Sequence, residues 1–193
     1  MQRNTVSAVL AVALCAALAA GCQTDTITNT GPSLGVGAAA HGSAPASATV
    51  NAELAQLRRL TAPYHNVDKA VAAGYAIEAQ CVSHPTLGAM GHHAVNAVLR
   101  DDAEITLLKP DVLLYEKKPN GEYRLTGVEY FVLKSTWDAA HGGATAAPPT
   151  LFGANLPLGN HPPFGPHYEL HVWIFKHNPS GMFAPWNPTV SCP

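Results

Sequence analysis

The sequence predicts an α+β domain: short N-terminal helices followed by an antiparallel sheet that can curl into a partial barrel. Three observations carry this. Val50, Leu54, Leu57 and Leu60 recur at helical spacing. Strand-like runs bounded by turn residues follow at positions 112–133 and 166–175. Helices thus precede strands along the chain, the order of an α+β architecture. A length of 193 residues suits one domain with a real core. The net charge of −2 and a 12% charged fraction leave no footprint for nucleic acid, and no basic amphipathic helix points to a membrane surface.

Residues 1–21 read as a signal peptide. Arg3 supplies a short positive region, and residues 6–20 form an Ala-rich apolar stretch too short to span a bilayer. Leu18-Ala19-Ala20-Gly21-Cys22 looks like a bacterial lipobox, with Cys22 as the lipid-modified first mature residue and a membrane anchor. Its large aliphatic residue falls one place early, at Leu18. Cleavage at Ala17-Leu18-Ala19, releasing a soluble secreted protein, is the alternative. Both readings place the domain outside the cytoplasm.

Export gives the cysteines their meaning. Cys15 leaves with the signal and Cys22 is acylated, so Cys81 and Cys192 remain as an even pair in an oxidising compartment. A disulfide between them is the favoured reading. Ligation of a metal by the pair is the rival, and it lacks any Cys-x-x-Cys partner.

Residues 22–48, rich in Thr, Gly, Ala, Ser and Asn without hydrophobic period, read as a flexible tether, and residues 49–193 as the single globular domain. A first helix starts at Val50. Asn66 is an N-cap for a second, which Gly74 stops. Residues 75–82 read as a strand, 83–91 as a turn-rich stretch, and 94–99 as either helix or strand. The clearest element is a hairpin: residues 112–117 and 122–133 are strand-like and joined through Pro119-Asn120-Gly121. Residues 138–166, dense in Gly, Pro and Ala, read as a long loop able to serve as a lid or binding loop. The last strand is residues 166–175, followed by a turn-rich tail held by Cys192.

That last strand carries the candidate site. Side chains alternate across a strand, so His167, Glu169, His171, Trp173 and Phe175 share one face, opposite Tyr168, Leu170, Val172 and Ile174. Two imidazoles and a carboxylate at every second position can present ligands to a divalent ion. Zinc takes about four such ligands, with one position open when catalytic. Two His and a carboxylate with open positions suit non-haem iron, and imidazole also suits copper. An H-x-E-x-H strand can equally hold a Glu hydrogen-bonded between imidazoles with no ion.

Glu129 shares a face with Leu125, Phe131 and Leu133 in the hairpin's second strand; it points into a pocket or lies at an edge. His92 and His93 point oppositely, so only one faces the sheet. His41, His65, His84, His141, His161 and His177 have no partner recognisable in the sequence. A Gly-x-Ser-x-Gly elbow, a phosphate loop and a dinucleotide fingerprint are absent. Glu116, Glu129 and Glu169 could supply a glycosidase-like carboxylate pair.

Several phrases together resemble a group of exported bacterial proteins. They are Ala89-Met90-Gly91-His92-His93, Leu114-Tyr115-Glu116, Gly127-Val128-Glu129-Tyr130, Tyr168-Glu169-Leu170-His171-Val172-Trp173, and the final block from Asn178 through Trp186-Asn187-Pro188 to Cys192. The resemblance covers roughly residues 60–193 and implies one coherent domain without implying an activity. In its pattern the His after Met-Gly-x matches His93, while His92 stands where an apolar residue is expected, so His93 is the better ligand.

Two expectations follow. The first is a divalent-metal site drawn from His93, His167, Glu169 and His171, with Glu129 or Glu169 as a base acting on a small molecule. The second is a non-enzymatic envelope module whose His/Glu cluster is free of metal and whose long loop binds a ligand.

Overall fold

The computed structural model describes residues 47–192. The expected signal peptide, the lipidation site at Cys22 and nearly all of the expected tether lie outside the described residues. Helix α1 (Ala48–Thr61) opens where the Ser47 hydroxyl accepts the Val50 N–H at 3.2 Å, so the helix starts at the last residue assigned to the tether. A 3-10 turn (Ala62–His65), not foreseen, leads to α2 (Val67–Ala72). The Asn66 side chain caps α2 at the Asp68 N–H, and Gly74 at φ 95° ends it.

Strands β1 (Ala76–His84) and β2 (Gly88–Val95) form a hairpin, and α3 (Ala97–Arg100) follows under an Asn96 cap. Two corrections arise here. Most of the stretch expected to be turn-rich is strand, with Gly91, His92 and His93 inside β2; Gly91 holds φ 93°, and a Cβ there would press on the Tyr115 carbonyl. The ambiguous residues 94–99 are both things, the end of a strand and then a helical turn.

Strands β3 (Val112–Lys117) and β4 (Tyr123–Leu133) form the expected hairpin, and α4 (Lys134–His141) follows it. Short strands β5 (Thr150–Leu151) and β6 (Ala154–Asn155) then pair with one another. Strands β7 (Leu158–His161) and β8 (Gly165–Val172) complete the main sheet. The expected long loop therefore contains the end of a helix, a small hairpin and an edge strand, so it is no single lid.

The six-stranded sheet runs β1-β2-β3-β4-β8-β7, with every pair antiparallel, and it curls into a half-barrel. Helices and sheet together make the α+β class expected. One sheet face packs Leu113, Tyr115, Leu125, Val128, Tyr130 and Val132 with Leu57 and Ala70 of the helices. The other gathers Val112, Leu114 and Trp173 with Ala89 and Val190.

Two breaks in alternation decide which side chains reach which face. Leu114 pairs with Gly127 but Tyr115 pairs with Leu125, so Thr126 is an extra residue in β4. This bulge turns Leu125 into the helix-side core, away from the face of Glu129. At the end of β8 the Ile174 N–H bonds the Val172 carbonyl at 3.0 Å, ending the extended chain. Trp173 stays on the His face, but Phe175 packs with the helix-side core, edge-on to His65.

Cys81 and Cys192 form the expected disulfide, with Cα atoms 5.7 Å apart and a sequence separation of 111. It fastens the tail to β1, and closing a loop of this size contributes about 4–5 kcal/mol in the chain-entropy model. Replacing both cysteines with Ser is expected to lower the unfolding free energy in urea by about 3–4 kcal/mol and to raise the m-value, because the denatured chain is no longer cross-linked. A loss below about 1 kcal/mol would show that the tail is held by its packing alone.

Candidate metal centre

The site is built on three strands. Glu129 on β4 lies opposite His171 on β8, and opposite Val112 on β3. Directly opposed residues of an antiparallel pair share a face, so the Glu129 and His171 side chains stand side by side. His93 on β2 pairs with Leu114 and reaches Glu129 across β3. Glu129 Oε2 lies 3.3 Å from His93 Nε2 and 3.7 Å from His171 Nε2. One ligand atom from each of the three residues falls within 4.8 Å of the others, an arrangement that can hold a metal ion.

Glu129 is 4% exposed and His171 2%, while His93 is half-buried. Burial alone would push the Glu129 carboxyl up; the His171 and His93 imidazoles outweigh it and hold the group at about 2. Burial would lower the His93 pKa, and the adjoining Glu129 carboxylate more than reverses this. Yet Glu129 Oε2 accepts no well-directed hydrogen bond. The groups converge on a common point more than they bond to one another. Two ligands each about 2.1 Å from one ion in tetrahedral arrangement stand about 3.4 Å apart, close to both Glu129–His separations.

The remaining candidates divide cleanly. His92 faces away, opposite Cys81 and Tyr115, its ring edge-on to Tyr123 at 5.3 Å and its Nδ1 donating to the Glu78 carbonyl at 3.1 Å. His167 and Glu169 lie on the metal face but outside the three-residue cluster. The reason is reach. From His167 to His171 is about 13 Å along an extended strand, more than one ion can bridge, and Glu169 is turned to His167, so of this strand only His171 joins the cluster.

His167 and Glu169 instead form their own pair. His167 Nδ1 donates to the Gly165 carbonyl at 2.6 Å, its Nε2 lies 3.3 Å from Glu169 Oε2, and its ring stacks on Phe131 at 4.8 Å. Glu116 is held by Lys176 Nζ at 2.6 and 2.7 Å and does not line the cleft, which leaves Glu129 and Glu169 of the three glycosidase-like carboxylates.

A cleft of ≈ 500 Å³ opens beside the cluster, lined by His93, Glu129 and Glu169, by Phe131 and Phe164, and by Glu78. Glu78 was not foreseen. Ile77 pairs with Ala94 and Cys81 with His92, so residues 78–80 all lie against the single residue His93. That wide bulge forms a wall of the cleft, and no alternation pattern in the sequence announces it. From the long loop, only the turn between β7 and β8 lines the cleft, through Pro162, Pro163 and Phe164.

Asp111 was also missed, although a lone acid directly before an apolar strand is a visible signal. It is 1% exposed; its Oδ2 accepts the Phe131 N–H at 3.0 Å while Oδ1 is buried with no hydrogen-bond partner. Burial pushes its carboxyl up to about 7.

Fold and site thus define an α+β half-barrel with a His/Glu cluster that can take a metal ion. No family model matches this chain, and neither does any curated protein or solved structure.

Asp111 makes stability pH-dependent. The native state keeps a proton that the unfolded chain releases above about pH 4, so this contribution is whole below about pH 4. It is lost as pH rises through about 7. In urea unfolding, Asp111→Asn is expected to remove up to roughly 4 kcal/mol of the stability difference between pH 4 and pH 8. An unchanged pH profile would mean that Asp111 is ionised in the fold.

Proposed function

We propose that the chain is an exported, lipid-anchored metalloprotein, with His93, Glu129 and His171 as ligands to a divalent ion and an open coordination position toward the cleft, where a small molecule is acted on. The observation that carries this reading is the convergence of three ligand atoms within 4.8 Å, around a buried carboxylate oxygen that lacks a directed hydrogen bond. Two imidazoles, one carboxylate and no thiolate suit zinc or non-haem iron, with copper a further possibility. When bound, such an ion acts as a Lewis acid and lowers the pKa of a coordinated water. Glu169 on the cleft wall, braced by His167, is the candidate base. The disulfide supports export, since such bonds persist in oxidising compartments.

A second reading rests on the 3.3 Å His93–Glu129 contact: the cluster is a charge-balanced network that holds three strands without an ion, in a non-enzymatic envelope module. Isothermal titration of EDTA-treated, untagged protein separates the two. The metal reading expects one zinc, iron or copper ion per chain, with Glu129→Gln and His171→Ala each weakening binding by at least about a hundredfold. Absence of stoichiometric binding of all three ions would leave the metal-free network as the account of this site.

For the anchor, Cys22→Ser is expected to abolish incorporation of labelled palmitate and to release the protein from membranes. Undiminished labelling would contradict lipidation at this residue.

A further inference from the structure

We propose that the cleft beside the His/Glu cluster binds a small organic cation, an amine carried on an apolar body about the size of one aromatic ring. Its ≈ 500 Å³ lie within the roughly 300–1,000 Å³ range of small-molecule sites. Much of the wall is apolar: Val82, Met90 and Val95 on one side, Phe131 and Phe164 on the other. Those two rings meet edge-to-face at 5.2 Å, and Phe164 is 43% exposed at the mouth.

Charge chooses the kind of ligand. Among the described residues, three carboxylates line the cleft, those of Glu78, Glu129 and Glu169, against two cationic groups, Arg100 and His93. Arg100 is already taken, since its Nε and Nη2 donate to both carboxylate oxygens of Asp101 at 2.8 and 3.0 Å. His93 and Glu129 answer one another at 3.3 Å. What is left over is negative. Glu78 stands exposed on the bulge wall, while Glu169 is met by His167 at 3.3 Å as Glu129 is by His93, so the uncompensated carboxylate of the cleft is that of Glu78. An ammonium group between Glu78 and Glu169 gains charge-assisted hydrogen bonds, and the rings add cation–π attraction and apolar contact. A carboxylate ligand would meet repulsion from the same two residues. An ion bound at His93, Glu129 and His171 leaves Glu78 and Glu169 unchanged, so this inference goes beyond the metal reading and does not depend on it.

The test is calorimetric titration of benzylamine, benzyl alcohol and benzoate into EDTA-treated protein and into zinc-loaded protein. Benzylamine is expected to bind the EDTA-treated form at least about tenfold more tightly than benzoate. Glu169→Gln should weaken benzylamine about tenfold while leaving benzyl alcohol unaffected, and Phe164→Ala should weaken both. Phe164 is exposed and Gln is isosteric with Glu, so both variants should fold. Benzoate binding as tightly as benzylamine, or a Glu169→Gln variant with unaltered benzylamine affinity, overturns the proposal. Zinc uptake without amine selectivity sinks this inference and spares the metal reading. Amine selectivity in a protein that takes up none of zinc, iron and copper does the reverse.

Discussion

A carboxylate buried in the middle of the sheet is the constraint on which this structure depends. An unpaired charge taken from water costs several kcal/mol, so Glu129, at 4% exposure, must be compensated by its neighbours. Strand register supplies the compensation. Pairing β4 with β8 places His171 opposite Glu129; a slip of one residue would put Leu170 or Val172 there and drive the imidazole into the helix-side core. The bulge at Thr126 protects the arrangement from the other side, because it lets Leu125 join the apolar core while Glu129 keeps the opposite face.

The tail completes this support. Trp173 stacks near-parallel to His171 with ring centres 6.3 Å apart, and its Nε1 donates to the Ala184 carbonyl at 2.7 Å. Ala89 of β2 bridges Asn187, and the tail then reaches the disulfide to Cys81, one residue beyond the bulge against His93. Covalent closure, tail packing and ligand placement are thus connected through a few residues. The bulge that forms the cleft wall thus lies directly beside the disulfide.

Local chemistry was legible in the sequence, and long-range placement was not. Asn66 as a cap and the Asn120-Gly121 hairpin each follow from a short-range rule about turns, and alternation says that only one of His92 and His93 faces the sheet, the choice of His93 coming from the resemblance. Of the His167–Glu169–His171 face of β8, only His171 joins the cluster with Glu129, because alternation gives direction but not the 13 Å or so along the strand. Glu129 and His93 were legible as candidate partners of the β8 face, but their contact across the intervening β3 was not. Bulges hid Leu125 and Glu78, each consisting of extra residues that keep the composition of an ordinary strand. Strand β7 was concealed by brevity, four residues among Gly and Pro.

The central claim is that Glu129 and its two imidazoles form the inner shell of a metal ion. X-ray absorption at the zinc edge of the zinc-loaded protein tests this most directly. The account predicts two imidazole nitrogens and at least one oxygen at about 2.0–2.2 Å, with one imidazole lost from the spectrum of His171→Ala. A shell of oxygens alone, or one unaltered by that substitution, would contradict it.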